Sequence, residues 1–163
     1  MLRHANPNDF DFIKSLYFHK EINPFLLYEM DEEPHFLPIF QDLLDKNVLF
    51  VFENANGTQN ERIGMLKLQR HTFRAQHIAY LGGVAIATEY AGKGFAQKMF
   101  IELIEYAKTQ SILRIELSTA TTNLRAMALY EKMGFQKEGV LRKYTHLKSQ
   151  NIYLDEAMYA ILL

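Results

Sequence analysis

Between Tyr80 and Lys108 the chain reads as a strand feeding a glycine turn that opens one long amphipathic run. Tyr80-Leu81-Gly82-Gly83-Val84-Ala85-Ile86 is extended in character, and Ala91-Gly92-Lys93-Gly94-Phe95-Ala96 breaks it. Phe95, Met99, Leu103, Ile104 and Ala107 then share one face of a helix expected from about Gly94 to Thr109. A helix that begins on small residues offers unpaired backbone N–H groups at the positive end of its dipole, which suits a phosphate. A Cβ in the turn would keep a pyrophosphate away from the backbone. The first expectation is therefore a phosphorylated cofactor held by main chain.

Two familiar phosphate motifs fit poorly. A dinucleotide-binding fingerprint needs a third glycine where Gln97 stands, and its later acid, Glu116, falls inside the strand Arg114-Ile115-Glu116-Leu117. A P-loop needs Ser or Thr after its lysine, and Lys93 is followed by Gly94. Gly82-Gly83 within a strand signals a bulge, a sheet bend or a close backbone approach. Further on, Asn123 reads as a helix N-cap. Ala126, Met127, Leu129, Tyr130 and Met133 recur at helical spacing, Gly134 stops the helix, and Phe135 opens an extended segment.

At these residues the chain resembles the GNAT family of acyl-CoA-dependent N-acyltransferases. The resemblance is carried by Leu81 to Ile86, Gly92 to Ala96, Arg114 to Leu117, Asn123 to Ala126 and Leu129 to Phe135. Glu138 to Arg142, Tyr153 to Asp155 and Met158 to Ala160 add likeness to the branch that acetylates amino acids and other small amines. It is strong from about residue 76 onward and looser before. It implies a single-domain α/β fold: a mixed, mostly antiparallel sheet flanked by helices, with a splayed central strand pair. It implies acetyl-CoA as acetyl donor and direct attack of a primary amine on the thioester. Val84, Ala85 and Ile86 would run beside the pantetheine, and Ala91, Gly92, Lys93, Gly94, Phe95 and Ala96 would surround the diphosphate. Asn123, Ala126, Tyr130 and Lys132 would also contact the cofactor. In one respect the chain departs from the family pattern. The turn's first position, Arg or Gln in the family, is Ala91 here, or Glu89 in the alternative register, and Lys93 offers a nearby replacement charge.

The resemblance makes Tyr130 the acid that protonates the leaving thiolate, where helical spacing alone would make it a core tyrosine. Asn123 as a plain N-cap and Lys132 as a solvated cation are the corresponding bland readings. No carboxylate stands near Leu81, so Glu116 is the candidate base, against an ion pair with Arg114. On the acceptor side Glu29 belongs to an acidic cluster with Asp31, Glu32 and Glu33, which either attracts a cationic amine or faces solvent. Tyr153 and Asp155 share one strand face and are candidates to line an acceptor pocket. His4, His71 and His77 lack metal-ligand spacing, so no metal is expected.

The remaining elements read as a strand over Leu2–Ala5, a helix capped by Asn8-Asp9 and ending near Phe18, and an irregular stretch from Glu21 to Pro38. A helix from Phe36 to Lys46 follows, then strands over Val48–Glu53 and Arg62–Arg70 joined at Asn56-Gly57. Further strands are expected over Gln76–Ala87 and Ile112–Thr119, a helix over Leu124–Met133, and a closing hairpin of Phe135–His146 with Asn151–Leu162. One domain over residues 1–163 is the default for this length. A net charge of −1 gives no field for nucleic acid, and no apolar run approaches a membrane span. The absence of cysteine fits a cytoplasmic protein, and the N-terminus is too polar for a signal peptide. The expected partner is a small-molecule amine, and the expected state a monomer or homodimer. The function expected is acetylation of an amino acid or other small primary amine. The rivals are a protein N-terminal acetyltransferase and a non-catalytic acyl-CoA-binding module.

Overall fold

Alternation along the strands sorts the apolar side chains into two cores, one on each face of a single seven-stranded sheet. The computed structural model describes residues 1–26, 28–54 and 60–163, with backbone alone at 30–32. The strands are β1 (Leu2–His4), β2 (Leu49–Asn54), β3 (Glu61–Arg70), β4 (Ile78–Ile86), β5 (Arg114–Ala120), β6 (Gln136–Leu147) and β7 (Ile152–Leu162). Their order is β1-β2-β3-β4-β5-β7-β6, antiparallel throughout except for β4 against β5. The helices are α1 (Phe10–Tyr17), α2 (Asn23–Leu26), α3 (Phe36–Asp45), α4 (Phe95–Thr109) and α5 (Leu124–Lys132). This is the mixed, mostly antiparallel α/β sheet with flanking helices that the resemblance implies.

Helices α4 and α5 cover the first face. Met99, Phe100, Leu103 and Ala107 of α4 are buried there against Leu66, Leu81, Ile115 and Leu117. Helices α1 and α3 cover part of the second face, where Ile13, Leu16, Phe36 and Phe40 meet Leu49, Val51 and Met65. The start of α1 differs from expectation. Asn6 caps a 3-10 turn over Pro7–Asp9 that leads into α1: its side chain accepts from Asn8 N, and the Asp9 carboxylate accepts from Asn6 N at 2.8 Å, while Asp9, at the N-cap position of α1, makes no side-chain cap bond to that helix. Asp9 is instead fully buried, held by Arg3 at 2.8 and 2.9 Å and by Arg62 at 2.9 Å. The stretch expected to be irregular contains α2 and a 3-10 turn over Met30–His35. Asn56-Gly57 lie outside the described residues, although β2 and β3 pair antiparallel on either side of them.

The decisive irregularity lies in β4. Its pairing with β5 runs from Ile78↔Arg114 to Tyr80↔Glu116 and then stops, although β4 continues to Ile86 and β5 to Ala120. The central pair therefore splays, as expected. On its other side β4 carries a bulge: Met65 pairs with Ala85, but Lys67 pairs with Gly82, so β4 holds one residue more than β3. Gly83, with φ of 59°, absorbs it in the left-handed region. The extra residue inverts the alternation. Ala79 and Leu81 face the first core and so do Val84 and Ile86, while Ala85 and Ala87 turn to the second.

Candidate active site

A crevice of about 850 Å³ opens where β4 and β5 part. Its lining comes from both faces of the sheet: the starts of α4 and α5 on one side, residues 21–26 and the β6–β7 hairpin on the other.

The α4 end is made of bare backbone. Gly92 and Gly94 have φ of 75° and 80°, and among the described residues no atom beyond the adjoining ones lies within 4 Å of where a Cβ would stand on either. The turn needs glycine for its conformation and leaves the space before it open. No side chain caps α4, and the first N–H bonded back is that of Lys98, to Gly94 O at 3.2 Å. The N–H groups of Phe95, Ala96 and Gln97 are thus the unpaired donors of a helix start. Ala91, Gly92, Gly94, Phe95 and Ala96 all line the crevice. Lys93 does not: its ammonium stands over the Tyr90 ring, 5.9 Å from the centroid. The cations that line it on the helix side are Lys132 and Arg125, both exposed on α5, and Lys67 of β3 lines it from the sheet. Arg125 was not expected, but it lies seven residues before Lys132, on the same helical face.

Along β4, Val84, Ala85 and Ile86 line the gap. Ala87 N donates to Ile63 O of β3 at 2.9 Å. Alternation then turns the N–H groups of Ile86 and Val84 the other way, toward the edge that β5 has left. Asn123 and Ala126 line the crevice from α5, and Asn123 is a true N-cap: its Oδ1 accepts from Ala126 N at 3.2 Å, and its Nδ2 donates to Thr119 Oγ1 at 3.4 Å. Tyr130 is both a core residue and a lining residue. Its ring packs near Phe100, Phe135 and Tyr159, with centroids 5.7, 6.1 and 5.9 Å away. Among the described residues its hydroxyl makes no hydrogen bond. Burial first, and Tyr80 second, push that phenol well above its usual range, so it remains a proton donor.

The structure does not bring Glu116 to the crevice. Its carboxylate meets His71 Nε2 and Arg114 Nε, each at 3.1 Å, and Arg114 also clasps Glu138. That is the ion-pair reading. Nor do the three expected acceptor residues line the crevice. Glu29 accepts from Lys148 N and Ser149 Oγ, tying its loop to the turn between β6 and β7, and those bonds hold its carboxyl below the usual range. Tyr153 stacks flat on His146 at 4.1 Å and is 54% exposed. Asp155 accepts from Lys143 N at 2.7 Å. It thereby holds the β6 irregularity, between Leu141 and Thr145, that delivers Tyr144 and Thr145 to the lining.

The buried acid that does line the crevice is Glu156, only 5% exposed, whose carboxylate accepts from Thr145 Oγ1. Asp155 and Glu156 are adjacent on β7, so they point to opposite faces, and the sequence reading took the wrong one. Tyr80 and Ser118 lie on the same face as Glu156 and hydrogen-bond to each other at 2.7 Å. Among the described residues no cluster of His, Asp or Glu is arranged to hold a metal ion, and no helix is long and apolar enough to cross a membrane.

Residues 10–135 match the model of the acetyltransferase (GNAT) family. A spermidine N(1)-acetyltransferase of Vibrio cholerae is 29% identical over 86% of this chain and 80% of its own length. The crystal structure of a Vibrio cholerae spermidine N-acetyltransferase with CoA and spermine superposes with a TM-score of 0.84 at 27% identity, covering 99% of this chain and 94% of that one. A ribosomal-protein-alanine N-acetyltransferase from Brucella melitensis shares the fold, with a TM-score of 0.78 at 18% identity over 100% of this chain and 99% of the other.

Proposed function

The chain belongs to the GNAT acetyltransferase family and is an N-acetyltransferase, and we propose that its donor is acetyl-CoA and its acceptor a small primary amine. The observation that supports this most is the parting of β4 from β5 beside an uncapped helix start, inside one crevice. The unpaired N–H groups of Phe95 to Gln97, with Arg125 and Lys132 beside them, suit a diphosphate. The freed edge of β4 at Val84 and Ile86 suits an extended amide-bearing arm laid alongside like another strand. Acetyl-CoA would supply an acyl group already activated as a thioester.

The chain's own residues would do the rest. The main chain at the splay fixes the thioester carbonyl and polarises it. Glu156 holds the incoming ammonium on the second face and takes its proton, so that the free nitrogen attacks the carbonyl carbon as the carbon–sulfur bond breaks. Tyr130 gives its proton to the departing sulfur, and the second proton that the nitrogen sheds as the amide forms restores the phenol. We read residues 1–163 as one N-acetyltransferase domain, because every strand joins the same sheet. A donor of this kind implies the cytoplasm as the working compartment.

The test is release of thiol from acetyl-CoA across a panel of amines and peptides; with no cysteine the protein adds no background. Tyr130→Phe is expected to lower kcat about 100-fold with little change in the KM for acetyl-CoA. Transfer to peptides alone would favour N-terminal acetylation of proteins. Stabilisation by acetyl-CoA without transfer to any amine would favour a binding module.

A further inference from the structure

We propose that the acceptor amine also carries a carboxylate, and that Lys67 is the residue that selects it. The inference rests on the N-acetyltransferase reading and narrows its acceptor.

Lys67 lies on β3 opposite Gly82 of β4, on the second face of the sheet, where it lines the crevice. Its stem runs over the two glycines. A Cβ on Gly82 would sit 3.6 Å from Lys67 Cε, and one on Gly83 would sit 3.7 Å from Lys67 Cβ. Side chains at those two positions would cover Lys67, and their absence leaves it facing the gap. It is half-buried, yet its ammonium makes no hydrogen bond or ion pair with any described residue. Other cations that are as sheltered behave differently: Arg3, Lys14 and Arg114 each close on a carboxylate. Burial lowers the pKa of Lys67, and the positive charge of Lys46 lowers it further. An unpaired, partly desolvated ammonium is costly unless a ligand completes it.

The same face offers the opposite charge across the splay. Glu156 is a buried carboxylate that lines the crevice on the same face as the hydrogen-bonded Tyr80–Ser118 pair. A ligand that satisfies both ends brings its amine to Glu156 and an anion to Lys67. A polyamine would set a second cation against Lys67.

The deciding experiment uses the full chain with acetyl-CoA and reads thiol release. The acceptors are the standard amino acids and the straight-chain amino carboxylates from glycine to 6-aminohexanoate, each beside its own amide, with spermidine as a separate arm. At least one acid should exceed its amide in kcat/KM by about tenfold, the size expected for a charge-assisted pair, and spermidine should be poor. Lys67→Met should shrink that ratio to within about twofold by raising the acceptor KM, and Lys67→Arg should keep it. Methionine retains the unbranched stem without the charge, so this variant should melt no lower than the parent. The comparison of acid with amide in the unaltered protein decides the matter even if it does not. Acids and amides used equally well, spermidine as the best acceptor, a ratio that survives Lys67→Met, or a rise confined to the KM for acetyl-CoA would each overturn the proposal. In those cases the transferase reading stands, whereas transfer to no amine at all would sink both.

Discussion

Gly83 occupies a position that other residue types fit badly for two independent reasons. Its φ of 59° is costly for any residue with a Cβ, and that Cβ would stand 3.0 Å from the Tyr17 hydroxyl. Gly83→Ala is therefore expected to lower stability by about 1–2 kcal/mol, read as a shift in the urea midpoint. Because the bulge aims Val84 and Ile86 at the gap, affinity for acetyl-CoA should fall with it, measured by calorimetry. Gly94, Asn123 and Gly134 could be read from the sequence because cap and turn chemistry is local. Glu156 and Lys67 could not. Gly82-Gly83 signalled a bulge or a bend without fixing the face of each neighbouring residue, and the irregularity in β6 leaves no local mark. Glu116 misled for the opposite reason: an acid in an alternating strand looks functional until Arg114 and His71 are seen beside it.

Among the elements, α4 carries the clearest message and the most discriminating variant. Its period, its buried stripe and its glycine start were all legible, and its observed span of Phe95–Thr109 matches the reading closely. Ala96→Asp places a carboxylate in the first turn. An acid there favours the helix by about 0.3–1 kcal/mol, yet it opposes a diphosphate at the same N–H groups. The melting temperature should hold or rise slightly while acetyl-CoA binding weakens at least about tenfold, a split that general damage to the fold would not give. Residues 21–38 were read less well. The short helix and 3-10 turn there are held by distant partners, such as Asn23 Nδ2 donating to Tyr17 O and Tyr28 O at 2.8 and 2.9 Å, rather than by a periodic pattern.

For the whole molecule, the half-buried His4 and the fully buried Asp9 shape the response to acid. Burial holds the pKa of His4 below its ordinary 6.5, where it packs on Phe50 and reaches Tyr106 at 3.2 Å. The unfolded chain therefore takes up this proton first, and stability should begin to fall as the pH drops below about 6.5. Burial alone would raise the Asp9 carboxyl, but Arg3, the Asn6 N–H and Arg62 outweigh it and hold the group below its ordinary value. Its contribution is fully present above about pH 3.9 and is lost as the pH falls through the lower folded value. Urea midpoints against pH should show two successive declines, and His4→Phe should flatten the first. Asp9→Asn should remove the second and cost about 3 kcal/mol at neutral pH, since two arginines lose their buried partner.

A cleft that pierces a sheet has two doors. Whatever enters past α4 does not bar the way of whatever enters past residues 21–26, so the two reactants can share the protein and each spent product can leave by its own side. One molecule made to plug both doors would have to be threaded between β4 and β5. Its tether would then be a narrow chain no wider than a missing strand.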